Sequence, residues 1–237
     1  MTDDVIQSAG RWADLVACVV LIGGWLLYPY VLALVGRRRI TLNEAMVEIR
    51  QDWMASMLKR ENRITDAALV GHVLSSASFF ASTTVLVIGA LIGALANAQT
   101  IVATLGQFLL SHPPTVWLTQ LKIVVILTIF IYGFFKFTWA IRQYNYLIAL
   151  IGAAPPAPMP EAAIAPLARI YAAHFSRAAT DFNHGLRAYY FSLAGFAWLI
   201  DPLIVPLTLL LIVAILARRQ TRSRVRDDVQ AARIALR

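Results

Sequence analysis

Four stretches of the chain are almost unbroken in apolar residues: about 13–36, 67–97, 116–138 and 188–217. Each is long enough for a helix to cross a hydrocarbon core about 30 Å thick, which takes about 20 residues. A backbone at that depth has no water to bond, so each stretch is predicted to be α-helical. Ionisable interruptions are few: Asp14 near the start of the first, His72 in the second, Lys122 and Lys136 in the third, Asp201 in the fourth. The fourth contains "WLIDPLIVPL", where Pro202 and Pro206 lack amide donors and disturb a helix around them. A break at Asp201-Pro202 leaves halves of about 13 and 15 residues, each too short to cross upright. Two readings follow for this stretch. It either forms a re-entrant hairpin or makes one long, tilted or kinked crossing; four full crossings are slightly preferred.

Between the apolar stretches the pattern changes period. In 42–60, Met46, Ile49, Trp53 and Met57 fall on one helical face, opposite Glu44, Glu48, Arg50, Asp52 and Lys59. Thr41 with Glu44 fits a capping box at its start. This helix either lies along the inner membrane surface or packs beneath the bundle. A proline-rich linker, "AAPPAPMP" (153–160), precedes a second amphipathic helix from about Ala162 to Leu186. The expected fold is therefore all-α: a polytopic membrane helix bundle of four hydrophobic segments, the fourth alternatively a hairpin, with two cytoplasmic amphipathic helices. It forms one membrane domain over 1–237 that ends in a basic tail, 218–237.

Composition supports this picture. The 237 residues are 59% hydrophobic and only 14% charged, where a soluble domain carries about a quarter. Mean hydropathy is +0.66. No cleavable signal peptide is expected, because the residues before the first segment are acidic. Cys18 is the only cysteine, so it is read as a small hydrophobe rather than a disulfide or metal ligand.

The net charge of +8 orients the bundle. Arg37, Arg38, Arg39, Arg50, Lys59, Arg60 and Arg63 lie between the first two segments; Arg142, Arg169, Arg177 and Arg187 lie between the last two. The loop 97–115 has no charge. The positive-inside rule then places 37–66 and 140–187 in the cytoplasm and the N-terminus outside, in a cytoplasmic (inner) membrane. Four crossings conflict with this rule, since they leave a tail of seven arginines outside. The basic flanks are expected to meet anionic lipids of the bilayer. They do not indicate nucleic acid, because orientation already explains them.

Within the second segment, Ala68, Ser75, Ser82, Gly89 and Gly93 form one stripe at alternating steps of 4 and 3, together with His72, Phe79 and Leu86. Small residues let another helix approach closely, so the stripe is predicted to be a helix-packing seam. His72, Lys136 and Asp201 are candidates for a polar site at membrane depth, where charged groups need a partner or water. Lys122 is expected to snorkel to the outer interface. A weaker stripe, His174, Arg177, Asp181 and His184, has two imidazoles and a carboxylate but too few ligands for a closed metal site. Its expected state is a polar face with a local Asp181–Arg177 pair. The Tyr and Trp residues of "FFKFTWAIRQYNY" and "RAYYFSLAGFAW" are expected to form an interfacial belt. No nucleophile–base pair, phosphate loop or metal motif appears, so no catalytic residue, metal or cofactor is assigned and the reading leans away from an enzyme.

The blocks "RENRITDAALVGHVLSSASFFASTTVLVIGAL", "FTWAIRQYNYLIALIGAAP" and "NHGLRAYYFSLAGFAWLIDP" resemble, in order and spacing, an integral membrane family of bacteria and plants, domain of unknown function 599. The resemblance spans roughly 12–217. It implies a four-helix protein of the cytoplasmic membrane and brings no activity, substrate or catalytic residue with it. The expected role is a structural, accessory or oligomerising membrane component, as a homo-oligomer or beside a membrane partner subunit. The alternative is a small channel or transporter.

Overall fold

The structure, a computed structural model, describes residues 2–36, 42–107, 115–221 and 224–235. Every regular element among them is a helix: α1 (Thr2–Gly36), α2 (Leu42–Lys59), α3 (Ile64–Ala96), α4 (Ala98–Leu105), α5 (Val116–Gly152), α6 (Glu161–Ile200), α7 (Ile204–Thr221) and α8 (Arg224–Ala235). Arg37–Arg39 and Thr41 of the expected loop and capping box lie outside the described residues, as do the side chain of Glu44 and part of the tail.

Three helices carry stretches long and apolar enough to cross a membrane: Trp12–Tyr30, Ile64–Ala96 and Val116–Gly152. The fourth apolar segment is not one helix. Its first half continues the expected cytoplasmic helix without interruption, so that α6 runs 40 residues. Its second half is α7, after a turn at 201–203. Pro206 is the third residue of α7, where the missing amide would have had no partner in the first turn. Asp201 closes the turn: its Oδ1 accepts the Leu203 amide at 2.8 Å.

Two compact units share these helices: residues 1–33, 83–134 and 186–216 form unit 1; 34–82, 135–185 and 217–237 form unit 2. Unit 1 has two apolar cores. One gathers Leu21, Tyr28, Ile129, Phe191, Trp198, Val205 and Leu209. The other gathers Leu91, Ile123, Ile126 and Phe130. Gly195 lets α6 approach α5 closely, since a Cβ there would sit 2.7 Å from Ile126 Cγ1.

The contacts fix helix directions within unit 1. Asp14, Lys122 and Trp198 meet at one level. Tyr28 and Tyr132 meet Arg187 at another. Hence α1 and α5 run parallel and α6 runs opposite. Thr84 bonds Tyr189 at 2.9 Å, while Leu95 joins the core containing Leu199, so α3 runs with α6. Leu209 and Phe191 both flank Gly24, so α7 folds back along α6 as a helical hairpin.

Unit 2 is built from α2, the first half of α3, the second half of α5, the first half of α6, and α8. Ala77, Ala140 and Ala178 are fully buried and allow α3, α5 and α6 to come close. Met54, Met57 and Leu58 of α2 enter the same core, with Tyr144, Leu147 and Phe175. This helix thus packs against α5 and α6 within unit 2. The α8 helix lies against α2.

Candidate functional site

The described charged side chains of unit 1 divide between two levels. At one end Lys122 Nζ is 2.8 Å from Asp14 Oδ1. It also donates to the Trp198 carbonyl at 3.0 Å and sits 5.5 Å from that residue's ring centroid. The Trp198 indole N–H donates back to Asp14 Oδ1 at 2.8 Å. Asp14 and Lys122 are only 5% and 7% exposed. Lys122 therefore does not snorkel; it is held by a buried carboxylate. The sequence carried a usable signal. Asp14 and Lys122 both lie near the starts of odd-numbered segments, which enter an alternating bundle from the same side.

The other end holds Arg187. Its guanidinium lies 5.6 Å from the Tyr28 ring centroid and hydrogen-bonds the Tyr132 hydroxyl. Trp25 packs edge-on against Tyr132, and Phe191 against Tyr28, at 5.0 and 5.9 Å between centroids.

In unit 2, Asp181 is the centre of a polar cluster. Lys136 Nζ donates to one carboxylate oxygen at 2.8 Å and Gln143 Nε2 to the other at 2.7 Å. Arg177 is exposed, so the expected local Asp181–Arg177 pair gives way to a pair between helices. The His174 ring packs 6.2 Å from Tyr146, and its Nε2 is buried with no partner among the described residues. No group of three metal-ligating side chains occurs among the described residues.

Nearer α2, the fully buried Asp66 accepts from the Trp53 indole and from Arg60. Arg63 donates to the carbonyls of Leu58, Ala154 and Pro155, tying the end of α2 to the end of α5. Arg50 stacks 5.2 Å from the Phe175 centroid, and burial lowers its pKa while nearby Tyr144 opposes the shift. Tyr171 donates to the Leu150 carbonyl; burial raises its pKa and Arg63 partly offsets this.

The candidate depth site is not one site. His72 is exposed on α3, Lys136 is engaged by Asp181 in unit 2, and Asp201 caps α7 in unit 1. The predicted seam on α3 also departs from expectation within the chain. Ala68, Ser75, Ser82, Gly89 and Gly93 are all exposed, and a Cβ added at Gly89 or Gly93 would meet nothing within 4 Å. The face of α3 that packs is instead Val70, Ala77, Ala81, Thr84 and Leu91. Ser75, Ser76 and Ser78 each donate to the carbonyl four residues back, so these hydroxyls are satisfied without water. The aromatic belt is divided as well: Phe137, Tyr144, Phe191 and Trp198 are interior, while Phe135, Trp139 and Tyr146 are exposed.

These segments, in this order, match one family model over residues 16–225, described as a protein of unknown function, DUF599. The chain belongs to the DUF599 family. No curated protein and no solved structure matches it. Membership and the apolar helices together fit a membrane protein of unknown activity.

Proposed function

We propose that this DUF599 protein is an oligomerising component of the cytoplasmic membrane that pairs through α3 with a second copy of itself. The carrying observation is the exposed small-residue stripe. Gly89 and Gly93 leave open space on a helix whose opposite face is already packed. Such a surface gains most from close contact with another helix, because lipid chains supply no hydrophobic drive between helices. A second copy presents the same stripe, and self-complementary two-fold interfaces are the commonest way for like chains to pair.

The bundle is oriented with α2 and the 140–187 region in the cytoplasm and the N-terminus outside. Two observations support adding the α6–α7 hairpin to the three apolar crossings. The turn lies at the Asp14 level of unit 1, and α8 lies against α2.

Cysteine crosslinking tests the pairing. With Cys18 replaced by alanine, Gly89→Cys should form a disulfide dimer in membranes, and Ala77→Cys should not. Gly89→Leu with Gly93→Leu should abolish co-purification of two differently tagged copies. Monomers throughout, with no crosslink at Gly89 or Ser82, would exclude the proposal.

A further inference from the structure

Arg187 is a permanent cation on α6. Among the described residues no carboxylate pairs with it, and its electrostatic partners are the phenols Tyr28 and Tyr132. Its Nε is buried with no acceptor among the described residues. The described carboxylates of unit 1, Asp14 and Asp201, belong to the opposite end, where one holds Lys122 and the other caps α7. Along α6, Arg187 and Trp198 are separated by about 16 Å of helix rise, and along α1, Tyr28 and Asp14 by about 21 Å. Neither carboxylate can reach it.

A guanidinium cannot be neutralised by losing its proton. Leaving it in an apolar bundle without an anion is unfavourable. The aromatic faces compensate in part, because a cation over a tyrosine ring is attracted by the ring quadrupole. They do not use the donor fork. Arg187 is only partly buried, so part of the residue still reaches the surface of the unit. A planar fork framed by two phenols at one end of a bundle suits a phosphate group, which Arg recognises in bidentate fashion.

We propose that Arg187, flanked by Tyr28 and Tyr132, binds the phosphate of an anionic phospholipid head group. This goes beyond general attraction to basic flanks, since it assigns one lipid to one residue. It does not depend on whether the chain pairs through α3. The lipid phosphate supplies a counter-ion, and its acyl chains lie along unit 1.

Native mass spectrometry of the full-length protein tests this, with phosphatidylglycerol or phosphatidylcholine added to the detergent. The wild type should retain a phosphatidylglycerol more strongly than phosphatidylcholine. Arg187→Met should lower that retention about tenfold, the loss of roughly one charge-assisted contact. Arg169→Gln, which removes an exposed guanidinium on α6, should leave retention unchanged. If Arg187→Met does not fold, Arg187→Lys carries the comparison: the charge remains, the fork is lost, and retention should fall. Equal retention by wild type and the Arg187 variants would overturn the assignment, as would an equal loss in Arg169→Gln. Millimolar inorganic phosphate should fail to displace the lipid. Displacement would show a site for soluble phosphate and overturn the lipid assignment.

Discussion

The Asp14–Lys122 pair shows how a single charge is managed in this chain. Each partner is buried, and each depends on the other and on Trp198. Removing one member of a buried pair leaves an uncompensated charge, which costs about 3–5 kcal/mol; replacing both by apolar residues costs much less. We expect Lys122→Met and Asp14→Leu each to destabilise the detergent-solubilised protein by an amount of that order. The double variant should be more stable than the sum of the two losses implies, as read from equilibrium unfolding. Strict additivity would mean the pair is not coupled. Glycines give a second test at this scale. A Cβ at Gly185 would fall 2.5–2.8 Å from three ring atoms of Phe137, which is fully buried, stacked on Phe80 and packed against Phe182. That ring has nowhere to move, so Gly185→Ala should cost about 1–3 kcal/mol of overpacking. Gly93→Ala meets open space and should gain up to about 1 kcal/mol from helix propensity. A shared sign for the two substitutions in monomer unfolding would contradict this reading.

At the scale of elements, α3 shows what a sequence pattern does and does not decide. Three of the four apolar stretches were legible as candidate spans, because a bilayer imposes their length and the absence of water imposes the helix. The face was not. The exposed stripe through Ala68, Ser75, Ser82 and Gly89 and the packed stripe through Val70, Ala77 and Thr84 share one spacing and differ by two residues, about 200° around the helix. Both contain small residues. Ala77 was chosen for the interior by its neighbours Ala140 and Ala178, which are distant in sequence and carry no local signal. The continuity of α6 was missed for a related reason. Gly185 reads as a weak point between a polar helix and an apolar one, yet it serves as a close contact with Phe137. At Asp201-Pro202 the chain turns between α6 and α7, so the local chemistry of the Asp-Pro pair favours the hairpin over the single crossing that was slightly preferred. Arg187 illustrates the remaining gap. In sequence it was one flanking charge among many, and only the placement of Tyr28 and Tyr132 distinguishes it.

For the whole molecule the open question was the side taken by the arginine-rich tail. Four full crossings would set it opposite α2. In the structure the chain passes through unit 1 along α1, α3, α5, α6 and α7, each opposite in direction to the one before. Five alternating passes return the tail to the side reached after the first. The packing of α8 against α2 supports the same arrangement independently. In the proposed arrangement Arg218 and Arg219, in the last turn of α7, lie on the side of Lys59, Arg60, Arg63 and Arg142, which removes the positive-inside conflict. We therefore expect a C-terminal tag to resist protease added to intact cells and to become cleavable once the membrane is opened. An N-terminal tag should be cleaved without opening it. Cleavage of both tags on intact cells would restore the four-crossing arrangement and separate α8 from α2.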